Sequence, residues 1–238
     1  MGTINLLYKR EYPITDKIHV MIPTVGEVVD NEDLYYELVT SLTSVPRDMM
    51  VQLDDIGIDF TKITEYDLFI ALFNGIRSAD TRLIFGDLDL SKFETVVNTK
   101  TEQIVLYDEE HDIMIDKGIQ NQIAQTLRKI NHLEKNIKKP GNEETKQYLI
   151  KRERLKQQRR KNRKSFSQLE QLITALVNTE QFKYGFDTVR DLTIYQFNES
   201  LHQIAAKIDY DNLMHGVYAG TVKTSDISPD KLNWLSHK

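Results

Sequence analysis

One block of the sequence has the hydrophobic period of strands, whereas most of the chain has the period of helices. The runs FETVVN, EQIVLYD and HDIMID lie between about residues 92 and 116, and their β-rich composition predicts a three-stranded meander. Elsewhere apolar residues recur every three or four positions, which is typical of amphipathic helices. The chain is therefore predicted to be an α+β protein that is predominantly α-helical.

The segments around this meander predict how the chain is organised. The β-like runs INLLYK and KIHVMI flank the turn-prone EYPITD and predict a small N-terminal hairpin. A capping-box pair, Thr64 and Asp67, predicts the start of an apolar helix. We expect one domain, 1–238, with an N-terminal hairpin plus helices (1–90), a β meander (91–117), a basic helical hairpin (118–165) and C-terminal amphipathic helices (166–238).

The spacing of apolar residues also predicts the core. In the helix expected from about Glu143, Tyr148, Ile150 and Leu155 should be buried against the preceding or following helix. The two amphipathic helices after residue 165 are expected to pack against each other. Seven further residues on apolar helix faces are predicted to be buried: Leu68, Phe69, Leu72, Leu172, Leu176, Phe197 and Leu201.

The composition excludes several classes of protein. The chain has no cysteine, so it has neither disulfides nor thiolate metal sites, which suits a reducing compartment. The longest apolar runs, such as LFIALF, are far shorter than the roughly 20 residues that cross a bilayer. The N-terminus lacks a signal-peptide core. We expect a soluble, cytoplasmic protein with no membrane partner.

The motifs of common enzymes are missing from the sequence. It contains no Gly-x-Ser-x-Gly, no Walker phosphate loop and no Gly-x-Gly-x-x-Gly. The acidic run YDEEHD, with His111, could in principle hold a divalent metal, but it falls at an expected turn, where polar residues are ordinary. His202 has no second His one turn away. We expect no catalytic, metal or cofactor site, and keep a metal-dependent enzyme centred on His111 as the outlying alternative.

The segment KRERLKQQRRKNRKS, residues 151–165, is the strongest charge feature. Residues 128–164 carry a net charge of +11, which leaves −16 on the remainder of the chain. Such an arm suits an acidic protein partner or a second copy of the chain, whereas single-strand binding calls for aromatic residues that residues 151–165 lack. Duplex nucleic acid remains the alternative. The candidate partner-binding residues are Lys151, Arg152, Arg154, Lys156, Arg159, Arg160, Lys161, Arg163 and Lys164.

Residues 18–60 resemble the tail assembly chaperones of tailed bacteriophages. The resemblance lies in a strand, a Pro-Thr-x-Gly-Glu turn, a helix with leucines at helical spacing, a Leu-Thr-x-x-Pro break and a second short helix. The residues that carry it are Pro23, Thr24, Gly26, Glu27, Leu34, Leu38, Leu42, Thr43 and Pro46. The C-terminal segment from Tyr210 to Leu235 is also similar to the endings of structural-region proteins in phages of Gram-positive hosts.

This resemblance implies a protein–protein interaction function in virion morphogenesis. A protein of this family is made in the host cytoplasm, binds the helical tape measure protein and assists tail assembly, without an active site. The present chain is longer than typical members, so the resemblance also allows a virion component. The alternative interpretation is a nucleic-acid-associated phage or mobile-element protein that uses the basic segment 151–164.

Overall fold

A computed structural model describes residues 5–99, 102–161 and 167–235. Its strands are β1 (Glu11–Pro13), β2 (His19–Met21), β3 (Glu94–Val97), β4 (Ile104–Asp108) and β5 (Ile113–Ile115). Its helices are α1 (Val25–Val29), α2 (Glu32–Thr43), α3 (Met50–Asp55), α4 (Glu65–Ser78), α5 (Arg82–Phe85), α6 (Lys117–Ile130), α7 (Glu143–Lys161), α8 (Gln168–Val177) and α9 (Ile194–Tyr218). Short 3₁₀ turns span Leu90–Lys92, Val189–Asp191, Thr224–Asp226 and Pro229–Leu232. The predicted α+β class is confirmed.

Both predicted sheets are present, but the first strand of the hairpin was placed wrongly: it is Glu11–Pro13, inside the segment predicted as a turn, and residues 5–9 form no strand. Strands β1 and β2 form the antiparallel hairpin, with Tyr12 opposite Val20. Strands β3, β4 and β5 form the antiparallel meander in sequence order. Leu106 pairs with Ile115, and both side chains are buried. The meander therefore turns one face to the core, as the alternation of apolar and polar residues along β4 and β5 requires.

One large hydrophobic cluster joins nearly the whole length of the chain. It runs from Leu6, through β2, α1, α2, α4 and α5, to the meander, α6, α8 and the first turn of α9 at Phe197. A smaller cluster lies beside it and consists of Met50, Val51, Leu53, Phe60, Leu68 and Ile150. Ile150 is the only one of these residues that lies on α7. The long basic helix is thus attached to the molecule through the smaller cluster.

The predicted core is mostly confirmed. Leu68, Phe69, Leu176 and Phe197 are buried, whereas Leu72 and Leu201 are half-buried. The prediction for Leu172 was wrong, because this side chain is 38% exposed. Helix α8 buries the stripe formed by Leu169, Ile173 and Leu176, and Leu172 lies at the edge of that stripe. The expected partner was also wrong, since α9 packs mainly against α6 and α1 rather than against α8.

The long basic helix lies differently from the prediction. Ile150 is buried, but Tyr148 is 61% exposed and Leu155 is 47% exposed. The main packing partner of α7 is α3, not the preceding or following helix. Because α3 touches one narrow stripe of α7 around Ile150, apolar residues on the opposite side of the helix face solvent.

Two helix N-termini meet where the N-terminal and C-terminal parts of the chain join. Thr24 caps α1 in a capping box with Glu27, and Thr193 caps α9 in a capping box with Gln196. The two caps form an antiparallel bridge. The Val25 amide donates to the Leu192 carbonyl at 2.8 Å, and the Ile194 amide donates to the Pro23 carbonyl at 2.8 Å. We call these contacts the cap junction.

The Pro-Thr-x-Gly-Glu motif supplies one side of the cap junction. The motif predicted a turn, but the structure shows it as the capped start of α1. A Cβ atom added at Gly26 would lie 3.2 Å from Nε of Arg190 and 3.3 Å from its carbonyl oxygen. Arg190 in turn holds both carboxylate oxygens of Asp30 at 2.9 Å. Glycine therefore favours close packing here, and no special backbone angle is involved.

We expect Phe197→Ala to lower the free energy of unfolding by about 3 to 5 kcal/mol, because a large and fully buried ring is removed. Leu172→Ala should cost about 1 kcal/mol or less, because its side chain lies at a surface edge. Urea denaturation followed by circular dichroism measures both values. Equal losses in the two variants would contradict the assignment of the α8 and α9 faces.

A pair of glycine substitutions tests the cap junction. A Cβ atom added at Gly75, in α4, would have no heavy atom within 4 Å, so Gly75→Ala should stabilise the protein by about 0.5 to 1 kcal/mol through helix propensity. Gly26→Ala should instead destabilise it, because Arg190 must shift and loosen its contact with Asp30. The same denaturation experiment compares them, and a stabilising Gly26→Ala would show that the contact with Arg190 is not tight.

Candidate partner-binding surface

The structure divides the nine basic residues of the sequence into separate groups. Lys151, Arg152, Lys156 and Arg159 are exposed on α7. Arg154 is turned toward α3. Arg160 and Lys161 lie within the helical backbone of α7, where side chains are not described, and Arg163 and Lys164 fall outside the described residues. Arg154 therefore belongs to the attachment of the helix and not to its free surface.

Arg154 joins α7 to the end of α3. Its Nη1 lies 2.6 Å from Oδ1 of Asp55, and its Nη2 lies 2.8 Å from Oδ2 of Asp54. The hydrogen bond to Asp55 is the main reason that the pKa of Arg154 is raised above its ordinary value. The contact shows that this helix pairs with acidic protein surface within its own molecule.

A second ion-pair cluster fixes the start of α7. Nζ of Lys146 lies 3.0 Å from Oδ2 of Asp59 and 2.6 Å from Oε2 of Glu143, and its side chain is only 12% exposed. The Thr61 amide donates to Asp59, which is the first cause that the pKa of this carboxyl lies well below its usual range. Together with Ile150, the two ion-pair clusters define the inner side of α7.

The opposite side of α7 combines apolar and basic side chains. Positions 148, 151, 152, 155 and 159 are three or four residues apart, so they share one face of the helix. We call this the outer face of α7. It consists of Tyr148, Lys151, Arg152, Leu155 and Arg159, all of which are exposed. Among the described residues, no carboxylate forms an ion pair with its three cations.

Sequence reasoning missed Tyr148 and Leu155 as surface residues. Both were assigned to the core because they are large and apolar. The angular positions of these residues around the helix could have shown this. Tyr148 and Leu155 lie on the side opposite Ile150, so a helix that packs Ile150 against one neighbour exposes them. The structure therefore adds two apolar contact residues to a surface that the sequence had described by charge alone.

The YDEEHD segment has a structural role in the turn between β4 and β5. Oδ1 of Asp108 accepts hydrogen bonds from the amides of Glu110 at 3.0 Å and His111 at 3.3 Å, and Oδ2 lies 2.8 Å from Nδ1 of His111. Although burial raises the pKa of Asp108, these hydrogen bonds outweigh it and lower the pKa overall. Glu110 is held by Lys92 at 2.7 Å. The polar residues here stabilise a tight turn.

A histidine pair forms that the sequence spacing did not indicate. The rings of His132 and His202 lie 5.6 Å apart, and Nε2 of His132 is 3.2 Å from Oε2 of Glu199. Burial is the main reason that the pKa of His132 is lowered, and Glu199 opposes this shift. Within the ranges that the structure describes, no group of three or more His, Asp or Glu side chains is arranged to hold a metal ion.

Comparisons with known proteins connect the last third of the chain with phages. A family model described as the YomV second domain, a phage-associated domain, matches residues 158–238. The match begins near the end of α7 and includes α8 and α9, whose Leu169, Ile173 and Phe197 belong to the large core cluster. No curated protein and no solved structure matches the chain. In the part of the chain that is described, none of the helices is long and apolar enough to cross a membrane.

Two substitutions on α7 distinguish a residue that attaches the helix to α3 from a residue on its exposed outer face. Arg154→Gln removes both ion pairs to α3, and we expect backbone amides of α7 to exchange hydrogen about two- to fivefold faster, because ion pairs at the surface contribute little but do hold the helix. Arg152→Gln removes the same charge from the outer face and should leave exchange unchanged. Hydrogen exchange with mass spectrometry measures both. Equal exchange in the two variants would show that Arg154 does not hold the helix.

Proposed function

We propose that this protein is a phage morphogenesis protein that acts as a tail assembly chaperone. It binds a helical client, with the tape measure protein as the candidate, through the outer face of α7. Three findings support the proposal: the match to a phage-associated domain over residues 158–238, the resemblance of residues 18–60 to tail assembly chaperones, and the composition of the outer face. The role requires no catalytic residue and no cofactor, and its place is the host cytoplasm, with retention in the virion as a variant.

The composition of the outer face carries the proposal. Tyr148 and Leu155 are seven residues apart, so they lie at equivalent positions about 10 Å apart along the helix. Exposed apolar residues at that spacing are typical of a helix that packs against a second helix. Lys151 and Arg152 lie between them, and Arg159 lies one turn beyond Leu155. This arrangement fits a client helix with an apolar stripe and acidic flanks.

The contact between Arg154 and α3 illustrates the proposed mode of binding. In that contact, a basic residue of α7 lies against two aspartates at the end of a helix, beside an apolar contact made by Ile150. The outer face offers the same combination on the other side of the helix. A second copy of the chain, whose remaining surface is strongly acidic, could be held in the same way, in a head-to-tail contact.

The nucleic-acid alternative is favoured by one observation. Tyr148 is exposed one turn before Lys151 and Arg152, and an aromatic ring beside cations can stack on a base. The acidic pair Asp54 and Asp55 lies next to the helix and opposes phosphate. Leu155, in the middle of the face, also suits an apolar protein contact better than a phosphate backbone. We therefore rank the protein client first.

Charge reversal on the outer face tests the proposed function. When the protein is co-expressed with the tape measure protein of the same phage genome, it should raise the soluble fraction of that client. The triple variant Lys151→Glu, Arg152→Glu, Arg159→Glu should lose most of this effect. The three new carboxylates would repel the acidic groups of the client that the cations attract. Sedimentation and quantitative gel analysis of the client measure the result.

The matched control reverses three exposed lysines elsewhere, Lys62→Glu, Lys183→Glu and Lys223→Glu, and should retain full solubilisation. If both triple variants solubilise the client equally, the outer face is not the binding surface.

Fluorescence anisotropy with duplex and single-stranded DNA at about 50 and 200 mM salt tests the nucleic-acid alternative. Tight DNA binding that falls steeply with salt and is lost only in the outer-face variant would replace the chaperone proposal with the nucleic-acid one.

A further inference from the structure

A pocket of about 700 Å³ lies on a part of the molecule that the proposed function does not use. Residues 45–47 between α2 and α3, the segment between α3 and α4, the first residues of α4 and α6, and the extended segment 135–139 form its walls. Val45, Phe60, Ile63 and Tyr66 supply apolar surface to it. Its volume is in the range of pockets that hold small organic molecules.

The charged residues around this pocket are mostly cations. The lining includes Arg47, Lys117, Lys135, Lys138 and Lys139, with Glu65 as its one carboxylate. Glu65 is already engaged, since Oε1 lies 2.5 Å from Nζ of Lys135 and Oε2 lies 3.3 Å from Nη2 of the buried Arg128. Among the described residues, no carboxylate forms an ion pair with Lys117, Lys138 or Lys139. The rim therefore has an excess of positive charge.

A buried polar side chain in the pocket wall points to a ligand. Gln120 is only 5% exposed and lines the pocket, yet its carboxamide makes no hydrogen bond to another described residue. Its polar atoms are not among the fully buried side-chain atoms that lack a partner, so they face the open space of the pocket, where a bound polar group can form a hydrogen bond with them. The N-termini of α4 and α6 are already capped, by Thr64 in a capping box with Asp67 and by Asp116. The Gln120 carboxamide thus gives this wall a polar group that can bind a ligand.

We propose that this pocket binds a small organic anion with an apolar body. The apolar body would contact Phe60, Ile63 and the ring of Tyr66, and the anionic head would lie at the rim near Lys117 and Lys138. A polar atom of the same molecule would accept or donate a hydrogen bond at the Gln120 carboxamide. A carboxylate, sulfonate or phosphate head serves equally, because each presents oxygen acceptors to lysine.

The segment 135–139 forms the outer wall of the site and is held at two points. Lys135 pairs with Glu65, and Nη1 of Arg47 donates to the carbonyl of Lys138. These contacts use the Lys138 backbone and leave its ammonium group at the rim. Replacing Lys117 and Lys138 by glutamine therefore changes the charge of the rim while the contacts that position the wall remain.

The experiment uses 8-anilinonaphthalene-1-sulfonate, an aromatic sulfonate, as the probe with the full-length protein. We expect saturable binding of one equivalent by fluorescence, and a shift of the Gln120 side-chain amide signals in ¹H–¹⁵N NMR spectra, assigned by their loss in Gln120→Leu. The double variant Lys117→Gln, Lys138→Gln should weaken binding about three- to tenfold, as the loss of two exposed charge interactions. The neutral analogue N-phenyl-1-naphthylamine should bind equally to both proteins.

The control Lys183→Gln, Lys223→Gln lowers the net charge equally, far from the pocket in sequence, and should bind the sulfonate like the parent protein. Because all four lysines are exposed or at a rim, circular dichroism should show unchanged folds. Three results would overturn the proposal: no saturable sulfonate binding, equal weakening in the two double variants, or Gln120 amide signals that stay in place at saturation. None of these results bears on the outer face of α7, so the chaperone proposal is tested separately.

Discussion

The cap junction is the constraint on which the architecture depends. A helix N-terminus leaves backbone amides without intrahelical partners, and two such ends meet here, each satisfied by its own Thr-x-x-Glu or Thr-x-x-Gln box. The antiparallel bridge between Thr24 and Thr193 then brings the start of α9 beside β2 and α1. Once this contact is set, Phe197 can reach the core. Helix α9 then packs against α1 and α6.

The orientation of the long basic helix α7 is also set by one local contact. A single buried residue, Ile150, fixes which side of α7 is turned inward, and Lys146 and Arg154 on the same side reach aspartates on the segment that begins with α3. Every residue about half a turn away must then face outward. The exposure of Tyr148 and Leu155 is thus a consequence of this one apolar contact.

Much of the fold could be predicted from the sequence, because its signals are local. The period-2 runs identified the meander and the second strand of the hairpin, but not its first strand, and Thr64 with Asp67 identified the start of α4. The partner of α7 could not be predicted, because α3 lies about 100 residues earlier and nothing in either helix specifies the other. For the same reason the predicted burial of Tyr148 and Leu155 was wrong. The pocket near Gln120 also escaped prediction, since four separate segments of the chain form its walls and no motif links them.

The cap junction has a consequence for how the chain is made. Pro23 to Val25 must find Leu192 to Ile194, which are separated from them by most of the sequence. At a synthesis rate of about 5 to 20 residues per second, the N-terminal partner waits roughly 10 to 30 s before the C-terminal partner exists. During that time the apolar residues of β2 and α1 are partly exposed, because the start of α9 that packs near them has not been synthesised. Folding of the large core is therefore expected to finish after the C-terminal third emerges, and an early translational stop would leave an aggregation-prone fragment.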